Sequence, residues 1–302
     1  MRVVVAGGTG FIGTRLSQQL IDRGHQVTVL TRNAATAQQA PSSSADLLSW
    51  NPDAREIQLP DRTEAIVNLA GDSIAGSRWT DERKARIRES RVKATDTLLE
   101  AINTASQRPS VLVNASAVGY YGPRGDETLS EEAPPGRGFL TEVVLEWEQR
   151  ARAAEALGVR VVLLRIGIVF GREPAALPQM SLPFKLFAGG PVASGKQWMS
   201  WIHVDDVVGM IVWSIENPEV SGPINAVAPE PLTNTQISQE IGRALGRPSW
   251  LPAPAFALKL LFGEMAEALL INGQRVLPTR AQSLGYVFKY PSARAALEEA
   301  LR

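Results

Sequence analysis

Cysteine is absent from the 302 residues, which removes disulfides, thiolate nucleophiles and cysteine-ligated zinc or iron–sulfur clusters together. Redox chemistry would then need a borrowed cofactor. Histidine is nearly as scarce. His25 and His203 are the only two, far apart and without carboxylates at metal-site spacing, so a protein-bound metal is not expected. No run of about 18 apolar residues occurs, which argues against a membrane-spanning helix. Neither charge is in excess. Lys plus Arg and Asp plus Glu each number 31, and a pI near 6.8 gives no global field for nucleic acid or anionic lipid. The N-terminus enters a short strand-like run at 2–6 and lacks the longer apolar stretch and cleavage site of a signal peptide. A cytoplasmic protein is the expectation.

What is present looks globular, with 44% hydrophobic and 21% charged residues. The length exceeds the roughly 250 residues at which one core stops growing, so two lobes are expected. Through the first 170 residues, β-branched apolar runs at 2–6, 26–31, 46–50, 65–70, 111–115 and 159–166 alternate with longer amphipathic segments. That alternation predicts a parallel sheet covered by helices on both faces. Thr80 with Asp81 and Glu82 marks a helix start running to about 105. Residues 205–216 read as a helix ended by Asn217-Pro218, 222–227 as a strand, and 233–245 as a helix closed by Gly246. A helix-rich remainder follows Arg247-Pro248.

Gly7-Gly8-Thr9-Gly10-Phe11-Ile12-Gly13 sits between the first strand and the first helix. Tight turning, backbone approach to a pyrophosphate and close helix–strand packing each require a residue without a side chain. The helix N-terminus supplies free amides and partial positive charge to phosphates. Gly7, Thr9, Gly10, Phe11, Ile12 and Gly13 are therefore candidate cofactor contacts. At the end of the second strand an acid would bind the unphosphorylated ribose, but the chain reads Leu30-Thr31-Arg32-Asn33. Arg32, with Thr31, can hold a 2′-phosphate instead, which predicts NADP(H). The alternative for Arg32 is a solvated surface arginine.

Five stretches carry a family resemblance: 7–13, 68–71 (Asn-Leu-Ala-Gly), 116–122 (Ser-Ala-Val-Gly-Tyr-Tyr-Gly), 165–171 (Arg-Ile-Gly-Ile-Val-Phe-Gly) and 201–207 (Trp-Ile-His-Val-Asp-Asp-Val). Together they resemble the extended short-chain dehydrogenase/reductases, the sugar-nucleotide epimerase-like branch. Gly71-Asp72-Ser73-Ile74, Arg78-Trp79, Ser90-Arg91 and Trp147-Glu148 are similar to an atypical group of epimerase-family proteins with a C-terminal module of unassigned function, here 247–301. The resemblance implies an α/β fold, a Rossmann-type doubly wound parallel sheet with a smaller, helix-rich C-terminal substrate lobe. It implies an NADP-binding domain over 1–170, with 200–228 returning to it, and a lobe built from 171–199 and 229–302. It further implies that Leu69, Ala70 and Gly71 line the adenosine and pyrophosphate side, that Ile168 lies near the nicotinamide, and that Arg91 contacts NADP. Arg91 lacks an acidic partner four residues away, since Ile87 and Thr95 stand there.

Reductases of this superfamily use a tyrosine with a lysine four residues later, one helical face bringing the cation to the phenol. None of Tyr120, Tyr121, Tyr286 and Tyr290 has that lysine, and 139–147, where the pair belongs, contains neither residue. Ser116 keeps the position that orients substrate oxygen in relatives, and Tyr121 approximates their loop tyrosine; these are the catalytic candidates. Glu142 and Glu146 share a helical stripe whose alternative is a solvated face. Asp126 and Glu127 follow on a loop, His203 is either a proton shuttle or an organiser of the lobe junction, and Trp198 and Trp201 either wall a pocket or pack a core. The implied activity is hydride transfer on a carbonyl or hydroxyl of an unidentified small molecule, with neither nucleic acid nor membrane as partner. The alternative is a non-catalytic NADP(H)-dependent sensor or interaction protein. Oligomeric state is not determined by the sequence.

Overall fold

The computed structural model describes residues 1–32, 44–173 and 176–301; Asn33 lies outside them. Seven strands form the central sheet: β1 (Arg2–Ala6), β2 (Gln26–Thr31), β3 (Asp46–Ser49), β4 (Ala65–Asn68), β5 (Val111–Ala117), β6 (Arg160–Ile166) and β7 (Gly222–Ala226). Their order is β7-β6-β5-β4-β1-β2-β3, every pairing parallel. The order reverses between β1 and β4, and a crevice for ligand opens at such a switch point, beyond the carboxyl ends of the strands. This is the helix-covered parallel sheet the apolar runs predict, in the doubly wound form the family resemblance implies.

Helices cover both faces because β1 is apolar on both. Val3 and Val5 pack with Leu16 and Leu20 of α1 (Phe11–Asp22) and with Val207, Val208 and Ile211 of α5 (Val204–Glu216). Val4 and Ala6 pack instead with Ala94, Leu98 and Ile102 of α2 (Asp81–Thr104) and Ala151 of α3 (Phe139–Arg152). Thr80 caps α2, its hydroxyl accepting from the Arg83 amide at 3.2 Å. A separate apolar cluster joins α4 (Ala176–Lys185), α6 (Asn234–Leu245) and the terminal helix Ala293–Leu301 around Trp201 and Phe170. Thr233 and Gln236 close a capping box at the start of α6.

Some boundaries shift. Strands β3 and β4 stop at Ser49 and Asn68, short of the predicted 50 and 70, while β5 runs on to Ala117. The extension brings Ser116 into register with Arg165 of β6, and Arg165 into register with Asn225 of β7. A polar row thus crosses three neighbouring strands. No helix among the described residues is long and apolar enough to cross a membrane.

Candidate functional site

The glycine turn is shaped by close approaches. Gly7 has φ +77°, and a Cβ there would lie 2.8 Å from the Leu69 carbonyl, so the turn rests against the backbone that leaves β4. At Gly13 a Cβ would come within 2.3 Å of the Gly7 oxygen, which fixes how tightly α1 sits on the turn. Gly10 differs. A Cβ there would approach only the Gly7 oxygen, at 3.3 Å, leaving open space at the helix entrance. Gly10 is the N-cap, offers no side chain to the first amides, and no acid occupies the first turn of α1. The positive end of the dipole is thus free for an anion. Thr9 and Gly10 are exposed, Phe11 and Ile12 half-buried, and a Cβ at Gly171 would meet the Phe11 ring. That contact ties the segment carrying the half-buried Ile168 to the entrance of α1.

Across the switch point, the Gly71 backbone lies against Arg91 of α2, whose Cζ would sit 3.2 Å from a Cβ at Gly71. The Arg91 guanidinium donates to the carbonyls of Asp72 (3.1 Å) and Ile87 (2.8 Å) and lies over the Trp147 ring at 5.1 Å. Burial pushes its pKa down to about 10, against the opposing field of Asp72. Its hydrogen-bonding partners here are neutral carbonyls, so an arriving phosphate would relieve the cost of holding the charge there. Arg32 stands exposed at the end of β2.

Below the surface, Ser116 Oγ donates to Glu148 Oε1 at 2.6 Å. Glu148 is gripped by Arg165 through Nε (2.8 Å) and Nη2 (2.9 Å). The third guanidinium nitrogen donates to Tyr121 Oη at 3.0 Å, and Tyr121 donates onward to Asn225 Oδ1 at 2.7 Å. Ser116, Glu148, Arg165, Tyr121 and Asn225 are all buried. Although burial opposes the Arg165 charge, the fork-on-fork carboxylate holds its pKa above the ordinary arginine value. The Tyr120 face lies 3.4 Å from the Arg165 Cζ.

Tyr121 is therefore a core residue. Burial raises its pKa to about 12 despite the Arg165 charge beside it, and its hydroxyl already donates and accepts, which makes it an unsuitable proton donor at neutral pH. Glu142 and Glu146 meet Arg88 at 3.2 and 3.7 Å on the surface. Asp126 accepts from the Trp198 indole at 2.7 Å, and Glu127 pairs with Arg124 at 2.7 Å. His203 is buried, caps α5 by accepting from the Asp205 amide, and lies 3.0 Å from Glu299 Oε2. It organises a junction. Trp201 is core, stacked on Phe170.

In the sequence Glu148 and Arg165 stand out only as signature residues, and neither Asn225 nor Glu131 belongs to a motif; the Glu131 carboxylate accepts from the Asn225 backbone N–H at 3.0 Å. A signal existed. Arg165 directly follows the apolar run Val161–Leu164 inside its strand, and Glu148 shares the buried stripe of α3 with Val144 and Ala151. Charges in such positions are rarely buried without a partner. Trp147 and Glu148 face two halves of the site: Trp147 supports Arg91 and donates to Thr95, while Glu148 holds Ser116.

Comparison with known proteins agrees with this architecture. Residues 3–227 match the NAD dependent epimerase/dehydratase family, and residues 253–300 a domain of unknown function, DUF1731. The chain belongs to the NAD dependent epimerase/dehydratase family. Within that epimerase/dehydratase family, it is 45% identical over 300 residues to the chloroplastic epimerase family protein SDR39U1 homolog of Arabidopsis thaliana, covering 98% of this chain and 86% of that one. It is 40% identical to epimerase family protein YfhF of Bacillus subtilis, over 99% and 97% of the two chains. The crystal structure of human epimerase family protein SDR39U1 with NADPH superposes with TM-score 0.90 at 37% identity, covering 99% of each chain. One of these relatives is chloroplastic, so family membership does not by itself assign the cytoplasm.

Proposed function

We propose that this protein binds NADP(H) and is an oxidoreductase or epimerase-like enzyme of the cytoplasm, transferring hydride to or from a carbon bearing oxygen on a small molecule. The observation that carries the reading is the uncapped α1 entrance over Gly10, open where a pyrophosphate would sit, on a turn whose Gly7 rests against the Leu69–Ala70 backbone, with Arg91 lying against the next residue, Gly71. The human relative crystallised with NADPH supports it. In this reading Gly7 to Gly13 cradle the pyrophosphate, Thr31 and Arg32 hold the 2′-phosphate, Arg91 neutralises a cofactor phosphate, and Ile168 packs near the nicotinamide. The bound cofactor supplies hydride at nicotinamide C4. Ser116 orients the reacting oxygen, and Glu148 with Arg165 holds the Ser116 hydroxyl in place.

Fluorescence titration tests the binding: NADPH saturates the protein and NADH competes weakly. Turnover is then followed as NADPH oxidation or NADP reduction with sugar nucleotides, aldehydes and quinones. Ser116→Ala is expected to lower kcat/KM for a responsive substrate while leaving NADPH affinity within a few-fold. Turnover unaffected by Ser116→Ala would refute its role. A second reading, a non-catalytic NADP(H)-dependent sensor or interaction protein, is favoured by one feature. The Ser116 and Tyr121 hydroxyls both donate inward, to Glu148 and Asn225. NADPH binding with no response across the panel supports that reading.

A further inference from the structure

Arg275 is half-buried, and its Nε is a buried donor with no hydrogen-bond partner. The Nε atoms of Arg83 and Arg88 are unmet too, but those guanidiniums reach Asp72 (3.5 Å) and Glu142 (3.2 Å) through other nitrogens. Among the described residues no carboxylate or carbonyl does this for Arg275. What it touches is Trp198, whose ring centroid lies 4.4 Å from its Cζ. The indole is itself fixed, donating to Asp126 Oδ1 at 2.7 Å. A half-buried cation resting on a π face alone has lost water without gaining an anion. One face of the planar fork lies against the ring, and the edge that matches an oxyanion is unclaimed.

Backbone bonds place this cluster beside the cofactor end of the sheet. Arg275–Val276 pairs in parallel with Thr128–Leu129, in the segment that follows Tyr121 and carries Asp126. The Ser200 hydroxyl donates to the Gln274 carbonyl at 2.7 Å and accepts from the Val276 amide at 3.0 Å, while the Ser200 carbonyl accepts from the Ile168 amide at 2.8 Å. A single residue thus links the Arg275 backbone to Ile168. Leu277 adds a second tie, its carbonyl accepting from Asn225 Nδ2 at 2.9 Å, at the end of the polar row that begins with Ser116. Val276 turns into the core with Tyr121, Leu129 and Val227. Its strand neighbour Arg275 therefore points the opposite way, onto Trp198.

We infer that Arg275 is the anion-recognition residue of the substrate site and takes a single carboxylate of a small molecule, with Trp198 as its backing and Asp126 at its rim. The inference rests on the proposed placement of the nicotinamide beside Ile168. Charge selects the carboxylate. The cluster offers one guanidinium, and Asp126, at the edge of the same indole, opposes a second negative charge. A phosphate dianion or a diphosphate is disfavoured there, whereas a planar monoanion is matched by two parallel N–H bonds from the fork.

Calorimetric titration of the NADPH-loaded protein compares lactate, glycerate and glucuronate with their neutral counterparts propanediol, glycerol and glucose, and with inorganic phosphate and UDP. At least one carboxylate is expected to bind where its neutral counterpart does not. Arg275→Gln is expected to weaken that binding roughly ten- to a hundredfold, the scale of a hydrogen bond to a charged group, with NADPH affinity held within a few-fold. Arg275→Lys is expected to restore part of the loss, and Asp126→Asn to strengthen phosphate binding. Arg275→Met keeps an apolar stem on Trp198 and is expected not to lower Tm, since no partner is lost. Several results overturn the inference: no carboxylate distinguished from its neutral counterpart, phosphate or UDP bound ahead of the carboxylates, or phosphate binding unmoved by Asp126→Asn. So does NADPH affinity lost in Arg275→Gln, which makes Arg275 a cofactor contact, or a Tm lowered by Arg275→Met, which makes it structural. If NADPH itself does not bind, the cofactor reading fails, and the same titrations on the free protein decide Arg275 separately: carboxylate binding that Arg275→Gln removes supports its role, and none overturns it.

Discussion

Glu148→Ala is the most informative single perturbation of the site. It leaves the Arg165 guanidinium buried with its bidentate partner gone, and removing one member of a buried pair typically costs about 3–5 kcal/mol. Here the remaining partners soften the loss. Arg165 keeps Tyr121 Oη at 3.0 Å, the Glu131 carbonyl at 3.3 Å and the face of Tyr120. Against that, Ser116 Oγ loses the acceptor it holds at 2.6 Å, a further ~1 kcal/mol. The expected destabilisation is about 3–4 kcal/mol, or roughly 6–16 °C in Tm by the scaling for larger domains. Urea denaturation followed by tryptophan fluorescence measures it. The companion variant is Glu148→Leu with Arg165→Met, which removes both charges at similar volume and is expected to regain most of the loss. A loss under about 1 kcal/mol for Glu148→Ala, or a double variant as unstable as the sum of its singles, would refute the view of a mutually dependent buried pair.

Arg32→Ala is expected to weaken NADPH by about 1.5–3 kcal/mol, roughly ten- to a hundredfold, and to leave NADH nearly unchanged; equal losses in a fluorescence titration would refute the 2′-phosphate assignment. Gly10→Val is expected to abolish binding of either cofactor with circular dichroism unchanged, because its side chain enters the open helix entrance rather than the fold. Gly13→Ala is expected to lower Tm instead, since its Cβ would come within 2.3 Å of the Gly7 oxygen. Tyr121 carries an alkaline signature. Its folded pKa, raised to about 12 by burial, lies above the ordinary phenol value of about 10, so its contribution to stability is fully present below pH ~10 and lost as pH rises toward ~12. Tyr121→Phe is expected to flatten that part of the stability–pH curve, measured by denaturation at stepped pH; an unchanged slope would refute the burial argument.

The sequence by itself determined the doubly wound sheet, the glycine turn and the first turns of the helices. These are local. Alternating apolar runs need partners on both faces, a turn under a phosphate needs glycine, and Thr80 or Thr233 caps the helix it precedes. The sequence also exposed a missing tyrosine–lysine pair, since an i, i+4 pattern can be checked by reading. Only tertiary structure decided what occupies the ground beneath Ser116. Glu148, Arg165, Tyr121 and Asn225 come from a helix, two strands and a turn spread over more than a hundred positions, and strand register alone sets Ser116, Arg165 and Asn225 in one row. Burial then determines their chemistry: the phenol of Tyr121, a catalytic candidate as a letter, becomes a core hydroxyl once low dielectric disfavours its ionised form. Only the assembled fold leaves the apolar letters of α7 (Ala255–Phe262) on the surface, because the lobe packs its own core from α4, α6 and the terminal helix instead.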